Sequence, residues 1–388
     1  MNALKTFVVR YRFQLALAAI LAVAAFMRFY RLDVLPPGLH PDEAANGLDI
    51  FRILEQHDLR PFYSTNGGRE ALFFYLQAIG VAIFGNTVLA LRVAPAFIGV
   101  LSVGAIYLWV SSWFGRRNGL IAALLLAVTP WAVIISRDGF RASMMVLMVP
   151  LVLWLYTKAI RSKQVGWFLL AGAALGAGFY TYLSFRLFPL IVGAGLLYLL
   201  IWRRPQLKQW WKGLAASLLA MVIVLLPLGI YGVQHPADII GRTGGVSFTN
   251  PDLNHGNPVG TLGATVVKTA LMFNFQGDEN YRHNLGGQPE LNIFVGVMFI
   301  LGVFVCGIRL KQLRYFAVLV VFSVMLLPEI LTAEGIPHAL RAIGALPPTI
   351  VLATIGIGYM LDSWNSVFPF NRAARWAGAS AIGVLLAL

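Results

Sequence analysis

The sequence predicts an all-α polytopic membrane protein, and three observations lead there. Of 388 residues, 59% are apolar and only 12% charged, with a mean hydropathy of +0.75. A soluble domain carries charge on about a quarter of its positions. Apolar runs of about 20 residues recur from end to end, the length that a helix needs to cross a bilayer. Stretches such as LIAALLLAVTPWAVIIS (120–136) are apolar all round, whereas barrel strands alternate apolar with polar residues. The single Cys306 excludes a disulfide framework within the chain and a cysteine metal cluster.

Lys and Arg near span ends mark the cytoplasm, so the basic connections set the topology. The amino terminus carries Lys5, Arg10 and Arg12, and five connections are basic: 115–118, 158–163, 203–212, 309–314 and 371–375. With these inside, parity gives about 11 crossings. The apolar stretch 71–84 has no place in that parity. At about 14 apolar residues it is short for a span, and it is expected to lie in or dip into the outer interface. The last apolar run, from Trp376 to Leu388, is too short to span, which suggests a chain truncated at its carboxyl end. The whole of 1–388 reads as one transmembrane domain, with a first outer loop at 30–92 and a large outer loop at 234–291.

Charge tests this topology. The cytoplasmic side holds 17 of the 30 Lys and Arg against one acid, Asp362; the outer side holds 13 against 15 acids and all six His. Acids have little part in the insertion rule, so their gathering on one face points to chemistry there. The basicity is an orientation signal. No basic stripe interleaves with exposed aromatics, so nucleic acid is not a partner.

The first outer loop opens LPPGLHPDEAANGLDIFRIL (35–54). Pro41 suits the first position of a helix over roughly 41–57, with Leu48, Phe51 and Leu54 on one face and Asp49, Arg52 and Gln56 on another. Such a helix would lie flat on the membrane surface. Asp42 and Glu43 occupy its first turn. They either stabilise the helix start or supply a general base to an acceptor hydroxyl or amine.

These strings resemble the GT-C membrane glycosyltransferases, in particular the polyprenyl-phosphate-sugar users of glycosyltransferase family 39. That group includes protein O-mannosyltransferases, aminoarabinose transferases and RgtA/B/C/D-like proteins. HPDEAANG (40–47), GREALFFYLQAI (68–79), ALRVAPAFIGVLSVGAIYL (90–108) and GIPHALRAIGALP (335–347) are similar to the family's first-loop motif, its Lys-Pro-Pro-Leu-like segment, its Arg-Leu-Pro-Ala-rich span and its late outer loop. The resemblance implies inverting transfer of a sugar from a polyprenyl-phosphate-linked donor on the outer face of the cell membrane. It gives Asp42 as base and Glu43 as its orienting neighbour, paired with Arg92 unless Arg92 snorkels to the headgroups.

For the donor phosphate the candidates are Arg69, Arg92, Arg341, His338 and Arg137, with Arg141 beside them. Arg69 stands where the family has Lys, and it either meets phosphate or pairs with Glu70. Acceptor or sugar contacts fall to Asp138, Tyr182, Arg186, Asp278, Glu279, Arg282 and His283, and Tyr180 is a further groove candidate. The resemblance implies no cofactor. A divalent ion on Asp42, Asp138, Asp278 and the histidines is the minor alternative, because no His-x-x-x-His spacing is present. A lipid-sugar flippase and an O-antigen polymerase or ligase are the rival readings. The first would put paired charges within spans and show an inverted repeat, neither of which this chain has, and the second would lack the early Asp-Glu pair.

Overall fold

A computed structural model describes residues 2–387. In chain order the helices are α1 (Asn2–Phe29), α2 (Pro41–Gln56), α3 (Leu72–Phe84), α4 (Val88–Phe114), α5 (Arg116–Val128), α6 (Pro130–Arg137), α7 (Ser143–Ser162), α8 (Val165–Gly178) and α9 (Phe188–Trp202). They continue with α10 (Arg204–Gln234), α11 (Pro236–Val246), α12 (Pro251–Asn254), α13 (Pro258–Leu271), α14 (Ile293–Ile308), α15 (Leu313–Ile330), α16 (Leu346–Val367) and α17 (Arg372–Ala387). Between α2 and α3, β1 (Phe62–Tyr63) pairs antiparallel with β2 (Arg69–Glu70).

Among the described residues ten apolar helices stand where crossings are expected, one fewer than the sequence count of about 11, and not all have ordinary span length. Seven helices are long and apolar enough to cross a membrane, or eight if α5 and α6, bent by 56°, count as one. α8 and α14 are shorter, with 14 and 16 residues. Both pack backbone to backbone against a longer neighbour, as small residues permit in membranes. A Cβ on Gly172 of α8 would lie 2.0 Å from the Ser217 carbonyl oxygen of α10. α16 forms the centre of the bundle, with 89% of its apolar window buried, whereas α10 has 17% buried and turns Leu218, Leu219, Ile223 and Leu226 outward.

The break between α5 and α6 shows how sequence makes the bend. Pro130 has no N–H to offer the carbonyl of Leu126, four residues back. Arg28 of α1, 1% exposed, supplies it instead: its guanidinium donates to Leu126 O at 3.1 Å and Ala127 O at 3.0 Å. Gly99 of α4 leaves the room, since a Cβ there would stand 2.5 Å from Arg28 Nε.

Contacts sort the connections into two groups, as the parity requires. Arg117 pairs with Asp362, Arg314 donates to Trp113 O, Tyr198 donates to Lys311 O and Arg116 lies over Phe13. These contacts join the basic connections to the start of α1. The other connections meet at the opposite helix ends: Glu43 with Gly139, Glu70 with Arg141 and Arg186, Asp42 with Arg282, and Asp278 with Ala339. All the candidate residues thus gather at one end of the bundle.

Candidate active site

α2 begins at Pro41 as expected, ends one residue short of the expected range, and carries a complete cap. His40 Nδ1 accepts from the Asp42 N–H at 3.3 Å, and Glu43 Oε2 accepts from the His40 N–H at 3.0 Å. Glu43 is fully buried and meets Arg92 in a two-pronged pair, Nε to Oε1 at 2.8 Å and Nη2 to Oε2 at 2.9 Å. Arg92 also donates to the carbonyls of Pro36 and Gly38, both at 2.7 Å, and Glu43 Oε1 accepts the Gly139 N–H at 3.1 Å. One ion pair therefore joins α4, the proline turn before α2, and the turn after α6. Arg92 does not snorkel; it is held by Glu43 and two backbone carbonyls at the edge of a cavity.

Asp42, on the adjacent position, faces the other way. Its side chain is 44% exposed, with Oδ1 accepting from Asn66 Nδ2 at 3.0 Å and Oδ2 from Arg282 Nη1 at 3.1 Å. Arg282 comes from the large loop after α13 and also approaches His40 Nδ1 at 2.9 Å. Partial burial works against the Asp42 charge, but Asn66 and Arg282 outweigh it and hold the carboxyl below its ordinary range. Asp42 opens onto a small cavity of about 60 Å³ with Arg141 and Tyr182 in its wall.

Several expected pairings are corrected. Arg69 does not meet Glu70: neighbouring strand residues point to opposite faces, and β2 sends them apart. Arg69 is 2% exposed and pairs with Asp49, donates to Asn46 Oδ1 at 2.6 Å, and lies over the Phe74 ring. Asp49 is accordingly buried, at 1% exposure, and not on a wet face of α2. The buried face of that helix runs through Glu43, Asn46, Ile50 and Ile53, while Leu48 and Phe51 are exposed. Glu70 instead draws Arg141 Nε (3.1 Å) and Arg186 Nη2 (3.4 Å). Arg137 is occupied by the carbonyls of Met27, Tyr30 and Leu35. Tyr180 is removed from any groove, its hydroxyl bonded to the α10 backbone at Val224 and Leu228.

Three larger cavities surround this core. One of about 340 Å³ places Arg186, Arg341 and Tyr182 beside Leu187, Phe248 and Leu331. Tyr182 also lines the Asp42 cavity, and Arg141 lies over its ring at 5.4 Å. A second, about 640 Å³, runs along α1 and α6 to Glu43, Asp138 and Arg282. Burial and the nearby Glu43 charge push the Asp138 carboxyl up to about 7 despite Arg92. The third, about 620 Å³, is bordered by Asp278, Glu279, His338 and Arg341. Arg341 itself pairs with Glu334 at 2.6 Å, and His283 with Asp278 at 2.9 Å. The roles of Asn46, Asn66 and His40 escape sequence reading, because their partners lie up to 242 residues away.

Comparison with known proteins agrees with this architecture. Residues 71–230 match the family model described as dolichyl-phosphate-mannose-protein mannosyltransferase. YycA of Bacillus subtilis, which bears a provisional mannosyltransferase name, is 30% identical over 55% of this chain and 31% of its own length. The undecaprenyl phosphate-alpha-4-amino-4-deoxy-L-arabinose arabinosyl transferase of Pseudomonas aeruginosa is 31% identical over 42% of this chain and 30% of its own. The chain thus matches only about a third of the length of these relatives. Among solved structures, the oligosaccharyltransferase AglB of Archaeoglobus fulgidus, in complex with an inhibitory peptide and a dolichol-phosphate, aligns with a TM-score of 0.66 at 14% identity. That alignment covers 97% of this chain and 54% of AglB. ArnT of Cupriavidus metallidurans bound to undecaprenyl phosphate gives 0.59 at 16% identity, over 96% of this chain and 63% of ArnT. The chain shares the multi-pass membrane fold of these solved structures, and its residues 71–230 match the mannosyltransferase family model.

Proposed function

We propose that the protein transfers a monosaccharide from a polyprenyl-phosphate-linked donor to an acceptor hydroxyl or amine, with inversion, at the extracytoplasmic face, its amino terminus being cytoplasmic. Asp42 is the base. The observation that carries this reading is the division of labour in the Asp42-Glu43 pair. Glu43 is buried and fixed by Arg92, while Asp42, on the same helical turn, stays half-exposed beside a cavity that communicates with arginines through Tyr182. A purely structural helix start would need only the first of these.

The acceptor proton passes to an Asp42 oxygen as the acceptor atom attacks the sugar C1. The bond from C1 to the phosphate oxygen breaks on the opposite side, and its electron pair leaves on the polyprenyl phosphate. Cations must meet that developing charge. Arg69 and Arg92 are held by buried carboxylates and Arg137 by backbone carbonyls, so the phosphate is assigned to Arg186 and Arg341, which line one cavity and would turn to it from Glu70 and Glu334. Their shared cavity has an apolar side suited to an isoprenoid chain. The named contents of the related structures, a dolichol-phosphate and an undecaprenyl phosphate, support a donor of this kind. Asp138 and Arg282, at the end of the second cavity, are the proposed acceptor contacts.

The test is transfer from a panel of undecaprenyl-phosphate-linked monosaccharides, mannose and aminoarabinose included, by membranes containing the protein. A product of inverted anomeric configuration is expected. Absence of transfer from every donor, with the protein folded, would overturn the reading.

A further inference from the structure

We propose that Glu334 and Glu70 stand in for the donor phosphate. Each holds one of the two arginines assigned to that phosphate while the site is empty, releases it when the lipid phosphate binds, and recaptures it when the product polyprenyl phosphate leaves. This rests on the assignment of the phosphate to Arg186 and Arg341. Arg341 borders two cavities: the one of about 340 Å³ that it shares with Arg186, and the one of about 620 Å³ that Glu334 also lines. Its guanidinium is turned to the second, where Nη2 donates to Glu334 Oε2 at 2.6 Å and Nη1 to the Glu334 carbonyl oxygen. Both bonds go to one residue, so one rotation of the side chain frees both ends of the guanidinium. Arg186 Nη2 meets Glu70 Oε1 at 3.4 Å, while its Nη1 donates to Ile239 O at 2.8 Å.

The carboxylate left behind decides whether such an exchange is possible. Breaking an ion pair from one side is costly where the remaining charge is buried and alone. Glu334 is 58% exposed and returns to water. Glu70 is 1% exposed, but it keeps Arg141 Nε at 3.1 Å after Arg186 has turned away. Neither is stranded. Glu43 would be, because it is fully buried and Arg92 is its one cationic partner among the described residues. Arg186 and Arg341 are therefore free to change partners where Arg92 is fixed.

Turnover gives the exchange its use. Transfer converts a singly charged phosphodiester into a monoester of about 1.5–2 negative charges. The cations that stabilise the leaving group consequently hold the product more strongly than the donor. A carboxylate within reach of each arginine competes with the product and favours its departure. The same competition lowers the apparent affinity for any lipid phosphate, by the fraction of molecules whose arginines are tied to Glu334 and Glu70.

Undecaprenyl phosphate is titrated calorimetrically into the purified protein in detergent, for the parent, Glu334→Gln, Arg341→Gln and the double variant. Glu334→Gln should bind about two- to fivefold more tightly than the parent, the factor that a partly exposed ion pair is worth. Arg341→Gln should bind more weakly, and adding Glu334→Gln to it should change nothing further. Undecaprenol, which lacks the phosphate, should bind to the parent and to Glu334→Gln alike. In sugar transfer, added undecaprenyl phosphate should inhibit Glu334→Gln at a correspondingly lower concentration. A merely structural role for Glu334 predicts weaker binding in the variant, the opposite sign. Unchanged or weaker binding by folded Glu334→Gln, or an equal gain for undecaprenol, with Arg341→Gln weakened, would overturn the inference and leave the phosphate assignment standing. Unchanged binding by Arg341→Gln would overturn that assignment, and the inference with it.

Discussion

Glu43→Gln is the substitution that asks most of the structure. It keeps the shape of the side chain and an oxygen that can accept from the His40 or Gly139 N–H, but it removes the charge opposite Arg92. Both partners are buried, at 0% and 1% exposure, and joined by two bonds of 2.8 and 2.9 Å. Breaking a buried pair from one side costs about 3–5 kcal/mol, because the remaining ion stays in a poor solvent. Arg92 keeps its bonds to Pro36 O and Gly38 O, so the lower end of that range, about 3 kcal/mol, is the expectation. Removing both charges, as Glu43→Gln with Arg92→Met, should cost less than the two single changes added together. The coupling should be on the order of 2–3 kcal/mol, within the range for residues in one network. Equilibrium unfolding of the four proteins in the same detergent measures the cycle. A loss below about 1 kcal/mol for Glu43→Gln, a surface-pair value, or a coupling near zero would refute the view that this pair anchors α2.

Four other outcomes follow from the same geometry. Arg28→Met should destabilise by about 1–3 kcal/mol for each carbonyl left unsatisfied, those of Leu126 and Ala127, and thermal unfolding reads the loss. Asp138→Asn should stabilise the protein, because a folded-state carboxyl near 7 against an ordinary value of 3.8 means that folding retains a proton the unfolded chain releases. The advantage of the variant should grow from pH 4 to pH 7 and level off above, reaching at most about 4 kcal/mol; an advantage that shrinks over that window would contradict the burial of Asp138. Arg186→Gln and Arg341→Gln, measured separately, should each raise KM for the lipid-phosphate donor more than they alter KM for the acceptor. Asp42 sits below its ordinary range, so transfer should be flat through neutral pH and fall only as the medium becomes acid enough to protonate it; a rise of activity with acidity would exclude it as base.

Much of this site can be read from the chain because its strongest signals are local. Prolines at 36, 37 and 41 followed by two acids announce a capped helix, and α2 starts at Pro41. Basic residues at span ends order the bundle, since insertion physics acts on short segments independently of the final packing. The Arg92 partner of Glu43 was reachable because parity set both at the same end. The misreadings arise where chemistry depends on facing direction. Asp49 follows the amphipathic pattern of a wet position, yet Arg69 arrives from a strand 20 residues on and draws it inside. Glu70 turns to Arg141 and Arg186, 71 and 116 residues away. No spacing encodes such meetings. The same holds for Arg28, whose place at the Pro130 break becomes visible only when α1 lies against α5.

The central claim is that Asp42 takes the acceptor proton, and sugar transfer by Asp42→Asn measured beside the parent tests it most directly. Asn preserves the size and one acceptor oxygen but gives up the charge and the second acceptor that meet Arg282 and Asn66, at a half-exposed position where insertion and thermal stability should stay close to those of the parent. The expected result is loss of transfer by at least the 10²–10⁴-fold that a positioned base contributes, with donor binding retained. Transfer at the parental rate by a folded Asp42→Asn protein would contradict the account.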